Sequence, residues 1–260
     1  MTAHTLSRRE AVQVGIGALG TIFVGPLACN HGSPVAPGTG SVDVSAHART
    51  STIEPGLTTI DVGDQLGRTG FVYVPAQYDP AVPMPMIVML HGAGGRATQM
   101  LTPFEPWADA SGAILVAFSS FAYTWDAVIG RFGVDTDHAA KVIAAAFDRC
   151  AIDPARVGLA GFSDGATYAL ALGRANGNLF TRVAAFSPGY LIDVATEGKP
   201  EFFISHGTSD GVLFIDNSSR KIVPWLRKRH YEVDYREFDG GHQIPKEMAD
   251  IAIPWLAAAR

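Results

Sequence analysis

The chain has 260 residues, 47% hydrophobic and 17% charged, and its 20 Lys and Arg against 25 Asp and Glu give a formal charge of -5. That composition suits one large or two small globular domains with a sizeable core and excludes disorder or a coiled coil as the dominant state. With no like-charge block longer than Arg227, Lys228 and Arg229, nucleic acid is not an expected partner. Cys29 and Cys150 supply neither a disulfide framework nor, with the histidines, a zinc-binding spacing.

The chain opens with Ser7, Arg8, Arg9 and Glu10 ahead of an uncharged run over 11–28, the layout of an export signal. The paired arginines and the glycines at 15, 17, 20 and 25 resemble a twin-arginine signal, although Ala11 and Val12 stand where a bulkier apolar pair is usual. The run is Gly-rich and barely long enough to span a bilayer, which makes an uncleaved anchor the weaker reading. Leu27, Ala28 and Cys29 resemble the end of a bacterial lipobox, with Pro26 departing from it. Two outcomes are therefore open: Cys29 becomes a lipidated first residue, or the chain is cut nearby and released. Either way a periplasmic or extracellular protein is expected, attached to a membrane through Cys29 or not at all. Residues 29–50 are rich in Gly, Ser, Pro and Ala and read as a flexible tether. Loss of residues 1–28 would remove two arginines and one glutamate, taking the charge from -5 to -6, so no basic patch draws the protein to a membrane.

Residues 51–260 read as one α/β domain. Runs rich in Val, Ile and Phe at 58–62 and 69–75 suggest an opening hairpin, and those at 86–90, 113–118, 157–160, 183–186 and 202–205 suggest buried parallel strands, with 233–238 as the last. Between them, 97–110, 137–149, 164–174, 218–229 and 246–258 carry helical periodicity. The alternation predicts a mostly parallel central sheet with helices on both faces. No internal repeat is evident.

Gly161, Phe162, Ser163, Asp164 and Gly165 form a G-x-S-x-G sequence at a predicted strand-to-helix junction. The pattern alone is weak, since Ser163 could simply cap a helix, but the junction is what a nucleophile elbow requires. A serine hydroxyl needs a histidine base, and that histidine needs a carboxylate to orient it. Asp210, after the strand ending near His206, and His242, in the Gly-rich loop after the last strand, supply both at the same sheet edge. The serine's attack would generate an oxyanion that needs donors already in place. The glycine-rich residues 91–95 follow the strand at 86–90, and the backbone N–H groups of Ala93 and Asp164 are the predicted donors. No Lys followed by Ser or Thr closes that loop, so a phosphate loop does not fit. His91 reads as a structural support of the loop.

These segments carry a resemblance. LHGAGG at 90–95, TWD at 124–126, GFSDGATYAL at 161–170, FSPG at 186–189, SHGTSD at 205–210 and FDGGHQIPKE at 238–247 resemble the bacterial phospholipase/carboxylesterase group of α/β-hydrolases, near polyhydroxybutyrate depolymerase-like and dienelactone hydrolase-like esterases. The resemblance spans roughly residues 55–257. It implies the α/β-hydrolase fold and a serine carboxylic ester hydrolase with nucleophile Ser163, acid Asp210 and base His242, working without metal or organic cofactor on a small-molecule or polymer-borne ester. Residues 211–214 depart from it, where related sequences more often have a proline.

The short stretch 188–200 leaves little room for a lid domain, so an open site is expected. Phe121, Tyr123, Trp125, Tyr190 and Phe214 follow strand ends and are candidate pocket residues, Trp125 foremost. Asp126 and Asp135 are expected to fix a loop, and Cys150 to be a buried small hydrophobe. A serine peptidase on the same fold and a catalytically inactive, anchored binding module are the competing readings. The particular ester and the oligomeric state are not legible.

Overall fold

Short apolar runs become strands where both faces of a sheet can be covered, as at Met84–Leu90, Ile114–Phe118 and Arg182–Phe186, and the more exposed Gly56–Asp61 and Val233–Phe238 close the edges of the eight strands among the described residues. In the computed structural model, residues 40–42, 53–64 and 66–259 are described. The strands are β1 (Gly56–Asp61), β2 (Thr69–Val74), β3 (Met84–Leu90), β4 (Ile114–Phe118), β5 (Ile152–Phe162), β6 (Arg182–Phe186), β7 (Glu201–Gly207) and β8 (Val233–Phe238). They form one sheet in the order β1-β2-β4-β3-β5-β6-β7-β8. The β1–β2 and β2–β4 pairs are antiparallel and every later pair is parallel, giving the mostly parallel sheet expected.

Alternation along β3 shows how both faces are buried. Met86, Val88 and Leu90 join one core, while Ile87 and Met89 join the other, and all five are fully buried. The first core packs against α4 (Val134–Arg149), α5 (Asp164–Ala175) and α6 (Ser219–Lys228), through residues such as Val142, Leu172 and Leu226. The second packs against α1 (Ala97–Leu101), α2 (Glu105–Ser111) and α7 (Lys246–Ala257), through Met100, Leu101 and Ile253. Burying each such aliphatic side chain is worth about 1.5–3 kcal/mol.

Two helices differ from expectation. The helix predicted over 97–110 is broken into α1, a 3-10 turn at Thr102–Phe104, and α2. Pro103 and Pro106 cause the break, because neither has an N–H to donate to the preceding turn. Helix α4 begins at Val134, three residues before the predicted start, and its first turn carries Asp135 and Asp137, whose charges suit the positive end of the helix dipole. A single helical turn, α3 (Asp126–Ile129), has no periodic signal in the sequence.

Residues 187–200 contain no helix and one isolated bridge, Gly177 to Gly198, so no lid domain covers the sheet edge among the described residues. The export segment at 1–28 and Cys29 lie outside the described residues. Of the segment expected as a tether, Gly40–Val42 are described and held to the domain: the Val42 N–H donates to Asn176 Oδ1 at 2.7 Å, and Asn176 Nδ2 donates to the Gly40 carbonyl at 2.6 Å. No helix among the described residues is long and apolar enough to cross a membrane. Cys150 is buried at the end of α4.

Candidate active site

The nucleophile elbow is built by close packing. β5 ends at Phe162 and α5 begins at Asp164, leaving Ser163 at the corner with φ 57 and ψ -120. A non-glycine residue in that region carries strain of order 1–3 kcal/mol. The surroundings hold it there: the Ser163 N–H donates to the Phe186 carbonyl at 2.9 Å, and its carbonyl accepts the N–H of Thr167 at 3.0 Å. The flanking glycines are steric necessities. A Cβ on Gly161 would lie 2.2 Å from the Gly165 carbonyl oxygen, and one on Gly165 would lie 2.4 Å from the carbonyl oxygens of Leu90 and His91.

Asp210 and His242 reach Ser163 because the loops after β7 and β8 are packed together. The N–H groups of Thr208 and Ser209 donate to the carbonyls of Phe238 and Gly240, both at 2.9 Å. His242 Nε2 lies 2.8 Å from Ser163 Oγ, and its Nδ1 lies 2.7 Å from Asp210 Oδ2. With Nδ1–H donating to the carboxylate, Nε2 is the acceptor for the serine proton. Asp210 is only 3% exposed. Burial alone would raise its pKa, but the His242 hydrogen bond and the N–H groups of Leu213 and Val212 more than offset it and hold the carboxyl below its ordinary range.

Sequence reasoning missed a second histidine on the same carboxylate. His206, on β7, is fully buried with Nε2 3.2 Å from Asp210 Oδ2. The same Nε2 lies 2.7 Å from the Leu213 carbonyl, and Nδ1 lies 2.7 Å from Ser219 Oγ. Because a carbonyl can only accept, Nε2 carries the proton and Nδ1 accepts from the Ser219 hydroxyl. Burial lowers the His206 pKa, opposed by the Leu213 carbonyl and Asp210, so the ring stays neutral near neutral pH. The spacing of His206 four residues before Asp210 at a strand end was the available signal.

The loop at 91–95 lies directly against the elbow: a Cβ on Gly92 would come within 3.2 Å of the Ser163 Cβ. Among the described residues, the N–H groups of Ala93 and Asp164 donate to no other protein group, as an oxyanion hole requires. His91 ties the loop down. Its Nε2 accepts the Ser120 N–H at 3.0 Å, which leaves Nδ1–H to donate to the Gly92 carbonyl at 2.7 Å, and burial depresses its pKa.

Trp125 does not line an open pocket. It is completely buried, donates Nε1–H to the His91 carbonyl at 2.8 Å and stacks on Tyr168 at 5.0 Å, so it supports the loop from beneath. The turn carrying it is clamped by reciprocal bonds at 2.9 Å, from the Asp126 N–H to Asp135 Oδ2 and from the Asp135 N–H to Asp126 Oδ2, with Arg68 paired to Asp135 at 2.7 Å. Thr124, just before it, donates to Asp164 Oδ2 at 2.6 Å. Tyr190 and Phe214 remain exposed, at 46% and 63%, as do Phe121 and Tyr123.

No family model matches the chain, and no curated protein matches it. Solved structures do. An S-formylglutathione hydrolase from Staphylococcus aureus is 15% identical with a TM-score of 0.63, covering 80% of this chain and 99% of that one. A CE1 ferulic acid esterase from Anaeromyces mucronatus is 18% identical with a TM-score of 0.61, covering 84% and 97%. An α/β hydrolase from a Medee basin deep-sea metagenome library is 19% identical with a TM-score of 0.62, covering 77% and 96%. With the eight-stranded sheet, the elbow at its carboxyl edge and these likenesses, the chain has the α/β-hydrolase fold.

Proposed function

We propose that this protein is an exported serine carboxylic ester hydrolase. The reading rests on one observation: Ser163 Oγ, on a strained elbow, is 2.8 Å from His242 Nε2, whose Nδ1 is 2.7 Å from the buried Asp210 carboxylate. His242 takes the Ser163 proton as Oγ attacks the ester carbonyl carbon, and the oxyanion is held by the Ala93 and Asp164 N–H groups. The C–O bond to the alcohol then breaks, and His242 gives its proton to the departing oxygen. Water enters, loses a proton to His242 and attacks the acyl carbon; the bond to Ser163 Oγ then breaks, His242 returns the proton to that oxygen, and the acid is released. Two of the structures described above are named as hydrolases of thioester or ester bonds, which supports ester chemistry here.

The resemblance of the six sequence segments supports a reading of the chain near the polyhydroxybutyrate depolymerase-like and dienelactone hydrolase-like esterases, and the basic-then-apolar layout of its first 28 residues supports export. Mass spectrometry of the mature N-terminus, with cell fractionation, checks the second point: a diacylglyceryl group on Cys29 makes it a lipoprotein, an unmodified start beyond Cys29 a released protein, and an intact Met1 on protein confined to the cytoplasm would refute export. For the chemistry, p-nitrophenyl acetate, butyrate, octanoate and palmitate are assayed beside the matching anilides and a Ser163→Ala control. Ester hydrolysis lost in the control is expected. Anilides cleaved as fast as esters would replace ester with peptide chemistry, and no turnover by folded protein would favour a binding module.

A further inference from the structure

Ser163 stands between two differently built sides of the sheet edge. On the side of α1 and α7, His91, Gly92, Ala93, Gly95, Gln99, Met100 and Phe162 line an open cavity of about 210 Å³. No Asp, Glu, Lys or Arg lines it. One wall is the loop that presents the Ala93 N–H. Another is Phe162, the residue before the nucleophile, whose ring centroid lies 4.8 Å from that of His242. A Cβ on Gly92 would lie 3.2 Å from the Ser163 Cβ and 3.3 Å from Phe162 Cδ1, so one wall of the cavity packs directly against the nucleophile. Tyr123, Tyr190 and Phe214 are exposed on the loops after β4, β6 and β7, Tyr123 against Gly94.

The chemistry decides which part of an ester the cavity faces. In the tetrahedral adduct the former carbonyl carbon bears Ser163 Oγ, the oxyanion, the acyl chain and the alkoxy oxygen. The alkoxy oxygen must lie within reach of His242 Nε2, because His242 protonates it as the C–O bond breaks. Phe162, which lines the cavity, also packs against His242, and on that contact we assign the cavity to the leaving-group side.

We propose that this cavity is the leaving-group subsite, and that the substrates are esters of small, uncharged, largely apolar alcohols, with the acyl part left outside the cavity. The proposal rests on the ester hydrolase reading. Its size limit follows from volume: about 210 Å³ is the share of about seven liquid waters. That is below the roughly 300 Å³ at which pockets begin to enclose drug-sized ligands. A sugar polymer or a peptide thiol on the alcohol side would have to stay outside it.

The test uses the full chain on two series: acetates of methanol, butanol, hexanol and octanol, whose leaving groups differ little in basicity, and methyl esters of acetic to octanoic acid. The wild type is expected to lose about tenfold or more in kcat/KM between butyl and octyl acetate. Met100→Ala, which deepens the cavity, should restore octyl acetate by about threefold to tenfold and leave the methyl ester series unchanged. Gln99→Trp, at an exposed position on the rim, should depress butyl acetate while sparing methyl acetate. The proposal is overturned if the variants move the acyl series instead, which would make the cavity an acyl pocket, or if they move neither series. No turnover of any ester, with no reaction of Ser163 toward a fluorophosphonate, would instead overturn the ester hydrolase reading beneath it.

Discussion

Two histidines approach the same carboxylate oxygen, and in the proposed mechanism only one of them carries the proton. His242 Nδ1 lies 2.7 Å from Asp210 Oδ2 and His206 Nε2 lies 3.2 Å from it. The difference lies in the other nitrogen. In His206 it is taken by the Ser219 hydroxyl in a site with no solvent contact, which fixes the ring and keeps it neutral. In His242 it faces Ser163 Oγ from a Gly-rich loop, with the side chain 15% exposed. Proximity to the acid therefore does not make a catalytic base; an unclaimed second nitrogen aimed at a nucleophile does.

The largest effect should come from the exposed partner. His242→Ala is expected to lower kcat by about 10⁴-fold to 10⁶-fold with KM little changed. Asp210→Asn should come next, at about 10³-fold to 10⁴-fold in kcat, because an amide cannot hold the His242 tautomer as the carboxylate does. Unfolding midpoints measured alongside separate lost chemistry from lost structure.

His206→Phe should invert that pattern. It strips partners from the buried Ser219 hydroxyl and the Leu213 carbonyl, so a stability loss of about 1–3 kcal/mol is expected in urea unfolding. Folded enzyme should keep kcat within about tenfold of the wild type, through an Asp210 that is less firmly held. A kcat loss as deep as that of His242→Ala would abolish the distinction between the two rings.

A third histidine sharpens the comparison with no expected effect on kcat at pH 7. His138 is fully enclosed, among the described residues neither ring nitrogen makes a hydrogen bond of ordinary length and angle, the Thr69 backbone is its one polar neighbour of that kind, and Asp64 is 3.6 Å away. Burial first, and Arg68 second, push its pKa from 6.5 down to about 4. Between those values the unfolded chain binds the proton and the folded one does not. Stability is therefore lost as the pH falls from about 6.5 to about 4, by about 3 kcal/mol at the lower limit. His138→Phe, packed edge-on against Phe118, should reduce the acid-induced loss by that amount in unfolding curves at pH 7 and pH 4.

The sequence disclosed most where buried runs and loop chemistry coincide. β3 and β4 were readable because both faces of each strand are apolar. The order Ser163, Asp210, His242 was readable because each residue follows a strand end in a small-residue loop, and the three side chains do meet. The break in the first helix was written in Pro103 and Pro106 but masked by apolar periodicity on either side. Turn α3 was hidden because a reciprocal Asp126–Asp135 clamp makes it, and a contact nine residues apart leaves no local pattern. Trp125 misled for a related reason: an aromatic after a strand end looks the same whether it faces substrate or props a loop, and its deciding partner is the distant His91 carbonyl. His206 stayed hidden because its role depends on Ser219 and Leu213, which lie beyond the acid in the chain.

In the proposed mechanism one serine, activated through His242 and Asp210, is the nucleophile. Intact-mass spectrometry of the folded protein after reaction with a fluorophosphonate, followed by peptide mapping, tests it most directly. A single adduct on Ser163 is expected, forming quickly in the wild type and His206→Phe and slowly in Asp210→Asn and His242→Ala. An adduct on another residue, no adduct on folded wild type, or equal labelling rates in wild type and His242→Ala would contradict it.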